Sequence, residues 1–153
     1  MDLKNKRIAI IGAGIAESTI YDLSYEMGYM LGKEGAIIIT GGLGGVMEGA
    51  AKGAKEAGAI TVGILPGNKA EEANPYIMIP IVTDMGQARN VILVRSAELV
   101  VSIGGSYGTL SEIALALKMW KPVIGLKTWP NIPGVNYVET TKEALAKIFE
   151  LLC

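Results

Sequence analysis

Histidine is absent from this chain, and cysteine occurs once, as the final residue Cys153. The first absence removes Ser-His-Asp and Cys-His nucleophile systems. The two together exclude a disulfide framework and ordinary zinc sites, so no metal centre is expected. Any catalysis falls to carboxylates, Arg, Lys, Tyr, hydroxyls or backbone donors. Clustered base is lacking as well. The 14 Lys and Arg lie scattered against 15 Asp and Glu, for a net charge of −1, which argues against a nucleic-acid-binding surface. No apolar run reaches membrane-spanning length, because Gly, Lys or Glu interrupts each one. The opening Met1-Asp2-Leu3-Lys4-Asn5-Lys6 leads straight into a strand and does not read as a signal peptide. With so little cysteine, the expected compartment is cytoplasmic.

What remains is a hydrophobic, glycine-rich chain. Half of its 153 residues are hydrophobic and 19% are charged, enough for one folded domain over residues 1–153 and against disorder. Apolar runs at 7–12, 36–40, 60–65, 77–82, 98–103 and 122–126 read as strands. Pro80 marks the fourth as an edge or irregular strand. Helical patterns alternate with these runs. Ile20, Leu23, Met27, Met30 and Leu31 recur at helical spacing, with Gly35 as a stop. Ala50, Ala51, Gly53, Ala54 and Ala57 form a small-residue helix ending near Gly58. Thr140-x-x-Glu143 opens a last helix as a capping box. Residues 127–137, with two prolines and Gly134, read as a loop. Continuous apolar strands between helices predict an α/β, Rossmann-like, doubly wound fold with a mainly parallel sheet of six or seven strands. Ligands in such sheets bind beyond the carboxyl ends of the strands.

Three glycine-bearing turns fall at those ends. Gly12-Ala13-Gly14-Ile15-Ala16-Glu17 begins like a dinucleotide fingerprint but has Glu17 at the third glycine position. The second strand also runs into Thr40-Gly41-Gly42 instead of an acid for a ribose hydroxyl. The segment continues Leu43-Gly44-Gly45-Val46-Met47-Glu48. Close packing accounts for one or two of its glycines, and backbone approach to a ligand explains the cluster better. No G-K-[ST] follows, so it is not a Walker loop. The third turn, Gly104-Gly105-Ser106-Tyr107-Gly108-Thr109-Leu110-Ser111-Glu112, leads from a buried strand into a helix and suits a bound phosphate. Thr109 as N-cap with Glu112 reaching back to it is one reading of its end. A catalytic Glu112 is the other, and both stay open. Arg89, in Ala88-Arg89-Asn90, would by itself be a solvated helix residue, as would Arg95.

In order, Gly12-Ala13-Gly14, the 40–48 segment, Gly63-Ile64-Leu65-Pro66-Gly67, Ala88-Arg89-Asn90, the 104–112 turn and Lys121-Pro122-Val123 resemble the LOG-like superfamily of phosphoribohydrolases. The similarity covers nearly the whole chain. Nothing in these residues supports the "lysine decarboxylase" label that members have carried. The LOG signature is P-G-G-x-G-T-x-x-E with an upstream arginine, and Gly105, Gly108, Thr109, Glu112 and Arg89 match it. The resemblance implies that the glycine turn and Thr109 hold a 5′-phosphate, while Arg89 and Glu112 face the ribose as catalytic groups. A carboxylate is apt there, since glycosidic cleavage passes through an oxocarbenium-like state.

Gly104 replaces the signature proline, Ser106 replaces a glycine, and Glu48 supplies an extra pocket carboxylate where LOG enzymes usually carry glycine. These variants look more like the branch related to molybdenum cofactor carriers. The implied binding set is Gly12, Gly14, Gly41, Gly42, Gly44, Gly45, Asn90, Gly104, Gly105, Ser106, Tyr107, Gly108 and Thr109. The implied ligand is a phosphorylated nucleotide or nucleotide-like cofactor, either hydrolysed at its N-glycosidic bond or carried intact, with molybdenum cofactor as the favoured cargo. No cofactor is required. A homodimer or higher homo-oligomer is implied, with neither nucleic acid nor membrane as partner.

Overall fold

The computed structural model describes residues 2–153. Its strands are β1 (Arg7–Gly12), β2 (Ile37–Thr40), β3 (Thr61–Leu65), β4 (Ile79–Val82), β5 (Leu99–Ile103), β6 (Val123–Leu126) and β7 (Asn136–Val138). They form one sheet in the order β4-β3-β2-β1-β5-β6-β7. Every neighbouring pair is parallel. The helices are α1 (Ser18–Lys33), α2 (Val46–Glu56), α3 (Arg89–Ser96), α4 (Tyr107–Lys118) and α5 (Thr141–Leu152). This is the expected α/β doubly wound architecture.

Period-two alternation divides the central strands between two cores. Ile8 and Ile10 of β1 join Leu99, Val101 and Ile103 of β5 beneath α1, α2 and α5. Ala9 and Ile11 join Val100 beneath α3 and α4. Right-handed crossovers explain the division. The chain steps one way from β1 to β3 and the other way from β5 to β7, so the connecting helices land on opposite faces. The step reverses between β1 and β5, whose carboxyl ends therefore diverge into a crevice.

Local chemistry places the helix ends. Gly35 and Gly58 follow α1 and α2 at φ 88° and 84°, the left-handed stop that glycine favours. Thr140 caps α5, its Oγ1 accepting the Glu143 N–H at 3.1 Å. The small residues of α2 pack mainly against α1. A Cβ on Gly28 would stand 2.1 Å from the Ala50 carbonyl oxygen, and one on Gly53 would stand 2.0 Å from that of Tyr25.

Two expectations change. The 127–137 loop ends in β7, a three-residue strand paired to β6. The fourth strand is shorter than residues 77–82, and it lies at the edge beside β3 with both faces exposed. Pro80 removes a ladder donor there, which an edge tolerates. Among the described residues no helix is long and apolar enough to cross a membrane.

Candidate functional site

A cleft of about 590 Å³ opens at the β1/β5 crevice. The end of β1 contributes Ile11, Gly12 and Gly14, and the turn into α2 contributes Leu43 and Met47. The start of α3 brings Gln87, Arg89 and Asn90, and the start of α4 brings residues 106–109 with Ser111 and Glu112.

Arg89 is not solvated. It is 6% exposed, and its guanidinium is fastened on three sides. Nε donates to the Ile64 carbonyl at 2.8 Å, Nη2 to the Gly41 carbonyl at 3.4 Å, and Nη1 to Asn90 Oδ1. Asn90 Nδ2 in turn donates to Ser111 Oγ at 3.2 Å, and Ser111 Oγ donates to the Gly108 carbonyl at 2.7 Å. The cation is thereby linked to the first turn of α4. Burial lowers the Arg89 pKa, and the Glu112 charge opposes that fall. Arg95 is exposed, as expected.

The structure overturns the Thr109–Glu112 capping box. α4 begins three residues earlier, with Ser106 at its N-cap. The Ser106 N–H donates to Thr109 Oγ1 at 3.3 Å, so Thr109 is the third helical residue. Glu112 falls in the second turn, where it caps nothing. It is 7% exposed and lines the cleft. No described residue hydrogen-bonds its carboxyl, yet no buried side-chain oxygen lacks a partner, so its oxygens face the cleft. Burial raises its pKa from 4.5 to about 7, against the pull of the Arg89 cation.

The glycines divide differently from the expected set. Gly12, Gly14 and Gly108 line the cleft, but Gly41, Gly42, Gly44 and Gly45 do not. Close packing stands behind each of the four, against another loop at Gly44 and Gly45 and against side chains at Gly41 and Gly42. A Cβ on Gly45 would meet the Ala13 carbonyl oxygen at 2.1 Å, and one on Gly44 would meet that of Gly14 at 3.0 Å. Gly42 (φ 80°) abuts Leu65, and Gly41 abuts Arg89. Gly104 and Gly105 border a neighbouring cavity instead. Glu48 also lies outside the cleft lining. Its Oε2 accepts the Tyr21 hydroxyl at 3.0 Å between α1 and α2. Burial, with the Glu48 bond and charge, pushes the Tyr21 phenol up to about 12.

Sequence reading did not single out Ile11, Leu43, Met47, Gln87 or Ser111 for this lining. Only the positions of Gln87 and Ser111, beside Arg89 and Glu112, carried a signal.

The SLOG cluster4 family model matches residues 5–150. The chain belongs to that family. A protein of Archaeoglobus fulgidus is 47% identical over 143 residues, covering 94% of each chain. The molybdenum cofactor binding protein of Rippkaea orientalis superposes with a TM-score of 0.92 at 33% identity, covering 99% of both chains. The molybdenum cofactor carrier protein of Chlamydomonas reinhardtii gives a TM-score of 0.89 at 35% identity, covering 97% of this chain and 99% of its own. Membership of this LOG-like family thus accompanies likeness to molybdenum cofactor carriers along essentially the whole chain.

Proposed function

We propose that this SLOG cluster4 protein is a carrier that holds molybdenum cofactor in the β1/β5 cleft. The observation that carries the reading is the fixed, buried guanidinium of Arg89 beside the N-terminus of α4. A cation and outward-pointing helix N–H groups favour an anionic group such as the cofactor's phosphate. The likeness to carriers and binders of that cofactor supports the choice of cargo. The donor set also fits a cargo held by its organic part. The chain has no histidine, and Cys153 contacts the Asp2 carbonyl near the amino end of the sheet. The metal would therefore keep its own ligands, while Arg89, Asn90, Thr109 and the α4 N–H groups bind and orient the phosphate-bearing portion. No covalent step is needed.

The test is retention. Protein incubated anaerobically with molybdenum cofactor is passed through gel filtration, and bound molybdenum and pterin are measured. Stoichiometric retention is expected, with at least about a tenfold loss of affinity in Arg89→Ala, as for a charged hydrogen bond removed from a desolvated site. Failure of folded wild type to retain the cofactor would sink the carrier reading.

Glu112 supports a second reading. A carboxyl pushed up to about 7 in the same cleft as an arginine suits general-acid assistance to hydrolysis of a nucleoside 5′-monophosphate at its N-glycosidic bond. Release of free base from AMP, GMP, CMP, UMP or IMP, abolished in Glu112→Ala, would establish it. Retained cofactor without base release would leave the carrier reading alone.

We further infer self-association through β4 and the residue before it, where Met78, Ile79, Ile81 and Val82 are 43–52% exposed. A second copy would cover this apolar edge, in keeping with the homo-oligomer that the family resemblance implies.

A further inference from the structure

A second cavity, of about 400 Å³, opens where β5 and β6 end. Its lining includes Gly104, Gly105, Lys127, Thr128 and Trp129. Both cavities fall within the volumes of small-molecule sites, roughly 300–1,000 Å³. Residues 105–107 form the wall they share, Gly105 lining the second and Ser106 and Tyr107 the first, and all three are exposed.

An aromatic ring faces each cavity. Tyr107 lines the first cleft and Trp129 the second. Their centroids are 5.8 Å apart at 34°. The Trp129 indole N–H donates to the Ser106 carbonyl at 2.9 Å, and the Trp129 carbonyl accepts the Tyr137 hydroxyl. The indole is therefore held in place before any ligand arrives. Lys127 adopts φ 51°, a left-handed conformation costly for a side-chain-bearing residue. Its carbonyl accepts the Gly104 N–H at 3.0 Å. Among the described residues its ammonium makes no ion pair. A strained, unpaired cation beside a fixed indole provides a charge for phosphate and a face for a base.

We propose that the second cavity is a nucleoside-phosphate subsite continuous with the first cleft. The protein then accepts a ligand with two ring-bearing halves joined by a pyrophosphate across the 105–107 wall, as in a cofactor whose phosphate carries a nucleotide. This rests on the reading of the first cleft as an anion site. One half lies in that cleft, and the other sets its base against Trp129 with its phosphate near Lys127.

The test uses Trp129 fluorescence in a Trp120→Phe background. Trp120 is 93% exposed, and its replacement leaves Trp129 as the only indole. GMP and diguanosine 5′,5′-pyrophosphate are titrated. The dinucleotide is expected to quench Trp129 and to bind about tenfold more tightly than GMP, in line with one added base stack. Lys127→Gly keeps the left-handed backbone while removing the ammonium. It should weaken dinucleotide binding severalfold. Equal affinity for the two nucleotides, or dinucleotide binding untouched by Lys127→Gly, overturns the proposal. If neither nucleotide binds while molybdenum cofactor is still retained, the second subsite alone fails. If cofactor retention fails as well, the reading of the first cleft falls with it.

Discussion

A Cβ on Gly41 would stand 2.6 Å from Arg89 Nη2 and 2.7 Å from Met47 Sδ. The guanidinium lies over a peptide that must be bare, and the same peptide offers its carbonyl to Nη2. Gly41→Ala should therefore push Arg89 or Met47 aside. The expected cost is about 1–3 kcal/mol in urea unfolding, the usual range for overpacking. Cofactor retention should fall in the same direction as in Arg89→Ala. Gly14→Ala is the control, because its added methyl meets only Met47 Cε, at 3.8 Å. Its unfolding midpoint should stay close to wild type.

This pairing also shows which parts of the molecule were legible in sequence. The strands of the sheet centre were legible because each is a short apolar run between helical patterns, and burial on both faces demands that composition. The α5 cap was legible because Thr140 and Glu143 act within one turn. Arg89 was different. Its partners Ile64 and Gly41 lie 25 and 48 residues away, so local pattern alone gave a solvated helix residue. The family resemblance placed it at the site. The 41–45 glycines illustrate a related limit, since sequence does not separate a backbone that approaches a ligand from one that approaches another loop. β7 escaped notice because three residues beside Pro133 and Gly134 carry no period. The 109–112 cap failed because Ser106-x-x-Thr109 offers the same chemistry one turn earlier.

Glu112 predicts a pH dependence of stability. Its folded pKa, about 7, lies above the ordinary 4.5, so the folded state holds the proton more tightly than the unfolded chain. That stabilisation is fully present below about 4.5 and is lost as pH rises through 7. Its size is at most about 3 kcal/mol. Urea unfolding at pH 5 and pH 8.5 should show wild type losing stability over this interval. Glu112→Gln should flatten the Glu112-dependent loss and be the more stable protein at pH 8.5. Affinity for an anionic ligand should also rise as pH falls through 7, and that rise should vanish in Glu112→Gln. Parallel pH curves for the two proteins would remove Glu112 as the titrating group.

Trp120 follows the last turn of α4 at φ 60°, while the Lys121 N–H closes the turn onto the Ala116 carbonyl at 2.9 Å. This is the left-handed stop usually given to glycine, here occupied by an indole that is 93% exposed. Almost none of its surface contributes to the core. Trp120→Gly should raise stability by about 1 kcal/mol by relieving the left-handed strain. On a chain of this size that corresponds to a rise in Tm of roughly 2–4 °C. Trp120→Ala, which keeps a Cβ, should show little or no rise. Differential scanning calorimetry of the three proteins separates backbone strain from any packing contributed by the indole.

β4 supplies the final prediction. A parallel strand is ordinarily covered on both faces, yet all four residues of β4 are exposed. Ile79 and Ile81 point to one face and Val82 to the other, so no single neighbouring helix of this chain would cover both. The apolar surface stays soluble if a second copy covers it. Light scattering should give at least a dimer for wild type, and Ile81→Lys should shift it toward monomer. Because Ile81 is 43% exposed in the isolated chain, the folded monomer should lose little intrinsic stability. A wild type that remains monomeric at tens of micromolar would exclude this edge as a self-association surface. An Ile81→Lys variant that stays oligomeric would place the interface elsewhere, with the exposed Val91 of α3 the next apolar position to test.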